Sequence, residues 1–230
     1  ILAPDHNWSA SGHVKTLNRP LRVKPALLAD GSQALACDGA PSDCVALALM
    51  GVVEKPVDVV VSGINPNANI GHDVTYSGTV TAAMEAAIAG VRGLAISLDA
   101  PEYGTHSLDF ATAALAAREI TAKLQQQSLP KNVLLNVNVP YLPVNQVKGI
   151  RVSRQGLRIY RDALVKREDP RGRPYYWIGG EAPTGVPDEG TDFGDLQAGY
   201  VSITPIQLDL TAHDLLGRMR TWNWSFDEIP

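Results

Sequence analysis

The sequence predicts an α/β protein: a three-layer, Rossmann-like, doubly wound and mostly parallel sheet, followed by a C-terminal antiparallel β-hairpin extension. Three observations predict it. From Ile1 to about Pro140, short apolar runs alternate with Ala-rich helical segments, the order that builds parallel sheets with right-handed crossovers. Runs such as VDVVVSG and LAISL are apolar throughout, as strands covered on both faces are. After Pro143 the runs shorten, alternate, and are bounded by Gly and Pro, which reads as hairpins.

ILAP at the start has the character of a strand end, and LRVKPALL with ALACDG reads as a strand pair. A helix is expected from Ser42 to Met50, opened by a cap at Ser42 or Asp43. A strand over 57–63 ends at Gly63. The next helix spans 77–90, with Ser77 as its N-cap and Gly90 as its stop. After the strand LAISL, a long helix from Leu108 to Gln126 sets Phe110, Ala114, Ala117, Ile120 and Leu124 along one apolar stripe that packs on the sheet. VLLNVNV is the next strand. Beyond it, GIRVSRQG, the charged loop REDPRGRPYYW, the Pro/Gly-rich EAPTGVPDEGTDFGD and GYVSITPIQLDLT are expected to form hairpins. The tail LLGRMRTWNWSF is expected to be a short helix carrying Trp222 and Trp224 onto a partner or the core. The organisation expected is a single domain over 1–230, with a core at 1–143 and a hairpin arm plus C-terminal oligomerisation segment at 144–230. The opening ILAPDHNW carries no Met and starts inside a strand, so an upstream segment is expected.

The chain has 230 residues, 45% hydrophobic and 19% charged, enough to bury a core without disulfides or metals as staples. A formal charge of -4 and no basic run exclude a general nucleic-acid or anionic-membrane surface. Cys37 and Cys44 fit neither a zinc nor a redox spacing and are expected to be buried thiols in a reducing cytoplasm. No apolar run reaches the ~20 residues of a membrane span, and no secretory signal is evident.

Three loops could carry chemistry. In VSGINPNANIGHDVTYSGTV, residues 61–80, turn-formers crowd the carboxyl end of a strand, where open α/β sheets bind ligands. Ser77, Gly78 and Thr79 put free backbone N–H groups and two hydroxyls at a helix N-terminus, suited to phosphate or carboxylate, and a plain cap explains the same residues. Asn65 and Asn69 add amides able to donate to phosphate or ligate a hard cation. DHNWSASGH, residues 5–13, gathers Asp5, His6, Ser9, Ser11 and His13 on the same sheet edge, though Asp and Asn are also common turn-formers. DGAPSDCV, residues 38–45, reads most simply as helix capping. There is no P-loop, no G-x-G-x-x-G fingerprint, and no G-x-S-x-G elbow, which removes a serine-hydrolase reading.

SGIN (62–65) followed by GHDVTYSGTVTAAME (71–85) closely resembles the signature of the SurE family, the stationary-phase survival proteins that are metal-dependent nucleotidases. APDHNWSASGH, GAPSDCV, DPRGRPYYW, GTDF and GYVSITPIQLDLT extend the likeness over nearly the whole chain. The resemblance implies a phosphomonoesterase acting on nucleoside 5′- and 3′-monophosphates with Mg2+ or Mn2+. It implies Ser9 and Asn65 as metal ligands, and Asn69, Ser77, Gly78 and Thr79 lining the phosphate. It implies a cytoplasmic homodimer or homotetramer, and no nucleic-acid polymer or membrane as partner. Family members carry an Asp pair in an N-D-D-G motif about 30 residues upstream of the counterpart of Ser9, and this chain has no such segment, so its catalytic residues stay unassigned. Asp5, Asp43, Asp73 and Asp99 are candidate replacements, and His6, His13 and His72 are candidates for supporting roles. Asn67 stands where the family usually has Gly. A non-catalytic nucleotide-binding or oligomeric scaffold is the alternative.

Overall fold

A computed structural model describes residues 1–101 and 107–225. Its main sheet has five strands in the order β4 (Val59–Asn65), β5 (Arg92–Asp99), β6 (Val133–Pro140), β10 (Val201–Gln207) and β7 (Ile150–Val152). The β4–β5–β6 half is parallel, β10 runs antiparallel to β6, and β7 runs parallel to β10. A smaller sheet sets β1 (Leu2–Pro4) parallel to β3 (Gln33–Cys37), with β2 (Val23–Leu27) antiparallel on its far side. Between β1 and β4 lies a cleft of about 620 Å3 lined mostly by apolar residues, among them Leu2, Val45 and Val59.

Helices cover both faces of the main sheet, as the doubly wound expectation requires. On one face, α3 (Ala111–Gln126) buries Ala113, Ala116, Ile120 and Leu124 against Leu94, Ile96, Val137 and Val139. The predicted stripe holds at Ile120 and Leu124, with Ala117 partly packed beside them, and fails at Ala114, whose place in the core is taken by Ala113 and Ala116. Ala114 is exposed, and the helix begins at Ala111, with Phe110 before it and partly packed on the core. On the other face, α2 (Gly78–Ile88) packs Val80, Ala83 and Ala87 on Ala95, Leu134 and Ile206. Beside it, α1 (Pro41–Leu47) starts one residue earlier than predicted and leads into a wide turn over Ala48–Val52, where Gly51 has φ 115°.

The C-terminal part departs further from the expectation. GIRVS and GYVSITPIQ do not form hairpins. They are β7 and β10 of the main sheet, and the GTDFGD stretch holds the short helix α4 (Asp192–Gln197). The hairpin is β8 (Arg158–Glu168) with β9 (Pro174–Gly185), turning through the DPRGR loop. The tail forms α5 (His213–Met219), and Trp222 and Trp224 follow it with ring centroids 5.5 Å apart, both exposed. Cys37 and Cys44 are free and buried, and burial with Cys37 nearby pushes the Cys44 thiol up to about 12. Among the described residues, no helix is long and apolar enough to cross a membrane.

Candidate active site

The carboxyl ends of the parallel strands supply two loops. At the end of β4, Gly63 (φ 129°) sits where an added Cβ would come within 2.4 Å of the Ile96 carbonyl oxygen. Only glycine lets the strand pass that close to β5, and the register shifts there between Ser62 and Asn65. The shift brings Asn65 to the wall of a cavity of about 370 Å3.

The chain then enters the loop before α2. Asn69 is 7% exposed and held from every side. Its N–H donates to Asn138 Oδ1 at 2.7 Å, its Nδ2 donates to Ser97 Oγ at 2.7 Å, and its carbonyl accepts from the amides of Asn136 and Asn138. The alternating Asn residues of VLLNVNV thus form a buried polar platform under the loop. Two residues on, the Gly71 N–H donates to Asp192 Oδ2 at 2.9 Å, and the other oxygen of that fully buried carboxylate accepts from the Gly156 and Phe193 N–H groups. One carboxylate therefore ties the loop to α4 and to the base of the hairpin.

The loop ends at Ser77, whose hydroxyl caps α2 by accepting from the Val80 N–H at 3.1 Å, as the sequence predicted. The N–H groups of Gly78 and Thr79 have no protein acceptor among the described residues, and they stand at the positive end of the helix dipole. A Cβ on Gly78 would meet Pro41 Cγ at 3.1 Å, so the bare backbone is what α1 leaves room for.

The second loop, residues 5–13, lies across the mouth of this arrangement. Its far end is stapled down. The Gly12 N–H donates to the Tyr76 carbonyl, Thr81 Oγ1 donates to the Gly12 carbonyl, and Thr16 donates twice to the Asp43 carboxylate. His13 and Lys15 pair with Glu85 at 3.0 and 2.9 Å. Burial raises the Glu85 pKa, but the hydrogen bonds from Lys15 and His13 outweigh it and hold the carboxyl below its ordinary value.

The six residues that the resemblance assigns to metal and phosphate, Ser9, Asn65, Asn69, Ser77, Gly78 and Thr79, line this one cavity. His6, Asn7, Trp8, Asn67, Pro4, Ala10 and Pro41 complete the lining. None of the four candidate aspartates is among them. Asp5 pairs with His6 and Lys24. Asp43 is the buried carboxylate that caps Ala40 and anchors Thr16. Asp73 pairs with Arg158 and Tyr160 of the hairpin, and burial raises its pKa against the pull of Arg158. Asp99 is also raised by burial. His13 belongs to the Glu85 staple, and His72 points to solvent.

The SurE family model, described as "Survival protein SurE", matches residues 1–162. The chain belongs to the SurE family. It is 54% identical to the 5′-nucleotidase SurE of Herpetosiphon aurantiacus over 98% of this chain and 88% of that one. It is 50% identical to the 5′-nucleotidase SurE of Chloroflexus aggregans over 97% and 88%. The crystal structure of the SurE protein from Aquifex aeolicus superposes with a TM-score of 0.76 at 38% identity, covering 95% of this chain and 86% of that one.

The metal that the resemblance implies meets a donor set that suits it in kind but not in charge. Ser9 Oγ and Asn65 Oδ1 are hard oxygen donors, and Asn65 directs its Nδ2 to the Asn67 carbonyl, leaving its oxygen uncommitted among the described residues. A hard dication takes six or more oxygens and usually carboxylate charge. Among the described residues, no cluster of three or more His, Cys, Asp or Glu could supply it.

Proposed function

We propose that this cavity hydrolyses phosphate monoesters of nucleosides, releasing nucleoside and inorganic phosphate. One observation carries the reading: a single cavity sets neutral amides and hydroxyls against the two free N–H groups that open α2. Such donors suit a phosphoryl group whose charge is spread over several oxygens. The 5′-nucleotidase activity for which the relatives are named supports it, and nothing in them favours a scaffold without catalysis.

The Gly78 and Thr79 N–H groups bind phosphoryl oxygens, and the Thr79 and Ser77 hydroxyls donate to them. The Ser77 hydroxyl does so while its oxygen still caps the helix. Asn69, immobilised by Ser97, Asn136 and Asn138, keeps the second N–H of its side-chain amide for a phosphoryl oxygen without reorganising. Ser9 and Asn65 would contribute two neutral oxygens to a divalent cation, Mg2+ or Mn2+. When bound, that cation polarises the phosphoryl group and lowers the pKa of a coordinated water.

Within residues 144–230, the β8–β9 hairpin and the tail after β10 serve assembly. Tyr176, Trp177 and Ile178 on the hairpin, and Leu210, Trp222 and Trp224 in the tail, are large apolar side chains left exposed. They suit an isologous homodimer or homotetramer. A cytoplasmic location agrees with the two free thiols.

The test is phosphate release from nucleoside 5′- and 3′-monophosphates, with Mn2+ and with EDTA. The expected result is hydrolysis that the chelator stops and that Asn65→Ala abolishes while circular dichroism stays native. Full activity of Asn65→Ala, or activity indifferent to EDTA, contradicts the reading.

A further inference from the structure

We infer that Trp8, with His6 leaning against it, is the shelf on which the nucleobase stacks. A tryptophan retained for packing joins a core and satisfies its N–H. Trp8 does neither. It belongs to none of the hydrophobic clusters, it is half-buried in a loop whose neighbours from Asp5 to Ala10 are exposed, and its buried Nε1–H has no acceptor among the described residues. The cavity wall it forms is shared with the phosphate-facing residues.

Its ring lies against His6, at 4.8 Å between centroids and 35° between planes. His6 is itself fixed from the other side by Asp5, at 2.7 Å from Nδ1. The pair is therefore a braced aromatic surface facing a cavity and not a core.

The rest of the lining selects the ligand class. Among the described residues it holds no carboxylate, lysine or arginine to pair with a charged leaving group. The large planar surface in it is Trp8 with His6, and the side-chain amide of Asn67 makes no hydrogen bond to the protein among the described residues. A flat, uncharged, hydrogen-bonding group attached to the phosphate through a sugar is what such a wall receives. The cavity volume of about 370 Å3 lies within the ordinary range for small-molecule sites. Stacking is tolerant of base identity because every base has a π face, and the larger purine face gains more from it. The shelf therefore favours nucleotides over plain sugar phosphates, and purines modestly over pyrimidines.

The assignment rests on the nucleotidase reading above, and the experiment separates the two. KM and kcat are measured for AMP, CMP and ribose 5-phosphate with the wild type, Trp8→Phe and Trp8→Leu. Leucine keeps apolar bulk without a π face. The expected result is that Trp8→Leu raises KM for AMP relative to that for ribose 5-phosphate by roughly five- to a hundred-fold, the range for removing one base–aromatic stack, while Trp8→Phe restores most of the difference. A Trp8→Leu enzyme with an unchanged AMP to ribose 5-phosphate ratio overturns the shelf alone. So does a Phe variant no better than Leu. A wild type that hydrolyses ribose 5-phosphate but no nucleotide overturns the nucleotidase reading, and the shelf with it.

Discussion

Replacing Asp192 tests whether the loop before α2 is held in place by a single buried carboxylate. In the wild type that group accepts from Gly71 at 2.9 Å, Gly156 at 2.7 Å and Phe193 at 2.8 Å, and it is 0% exposed. A hydrogen bond to a charged group is worth about 1.5–3 kcal/mol. The three share one carboxylate whose burial is itself costly, so their sum overstates the loss, and Asp192→Ala should destabilise by about 3–5 kcal/mol. For a domain of this size that lowers Tm by roughly 10 °C. Asp192→Asn is the sharper variant. Its remaining oxygen serves best where two donors converge, on Gly156 and Phe193, which leaves an NH2 facing the Gly71 N–H. The damage then falls on the loop carrying Asn69, at about 1–3 kcal/mol for one buried unpaired donor. Thermal melts and steady-state phosphate release are the assays. Asp192→Asn should lose at least about ten-fold in kcat/KM with a smaller loss of Tm than Asp192→Ala. Wild-type kcat/KM in Asp192→Asn, or a Tm for Asp192→Ala within a degree of wild type, refutes the anchoring role.

Gly63→Ala should cost several kcal/mol, because its Cβ would lie 2.4 Å from the Ile96 carbonyl oxygen at a φ of +129°, and little folded protein should be seen by circular dichroism. Gly217→Ala is the contrast. It is helical with open space around it, and a melt should show a gain of up to ~1 kcal/mol. Gly78→Ala should keep the fold and raise KM for phosphate esters, since its Cβ would press on Pro41 Cγ at 3.1 Å and shift the helix start by a few tenths of an ångström. Glu85 carries a pH prediction. Its folded pKa lies below the ordinary 4.5, so its stabilising contribution is full above that value and disappears as pH falls through the lower folded one. The Tm difference between wild type and Glu85→Gln should accordingly be largest above pH 4.5 and close as the solution is acidified below it.

The sequence was most informative where local chemistry decides the structure. Ser77 before an Ala-rich run closed by Gly90 can only be a capped helix, and the cap, the helix and its stop are where they were expected. The gathering of Ser9, Asn65 and Ser77–Thr79 followed from topology, since parallel strands deliver their following loops to one edge. In α3 the register was legible at Ile120 and Leu124 but not in the first turns. Alanines at 111, 113, 114, 116 and 117 give almost no contrast between faces, so packing and not periodicity chose Ala113 over Ala114.

The place of β10 was hidden for a different reason. Ser202 and Thr204 alternate with apolar residues and so mimic a strand with one wet face. In the fold they lie opposite Asn138 and Asn136, at 0% and 2% exposure, beside the amide platform beneath the loop. A buried polar layer and a solvated face look alike in one dimension. Asp192 was likewise invisible, because its partners lie 121 and 36 residues away in the chain.

The central claim is that the amide-and-hydroxyl cavity at the start of α2 receives the phosphoryl group of a nucleotide. It is tested most directly by titrating inorganic phosphate as a competitive inhibitor of AMP hydrolysis, in the wild type and in Thr79→Val. The valine keeps the volume and the backbone N–H but removes one hydroxyl donor. Competitive inhibition in the wild type, weakened several-fold in Thr79→Val together with a raised KM for AMP, is the predicted result. Equal phosphate inhibition and equal KM in the two proteins would place the phosphoryl group somewhere else.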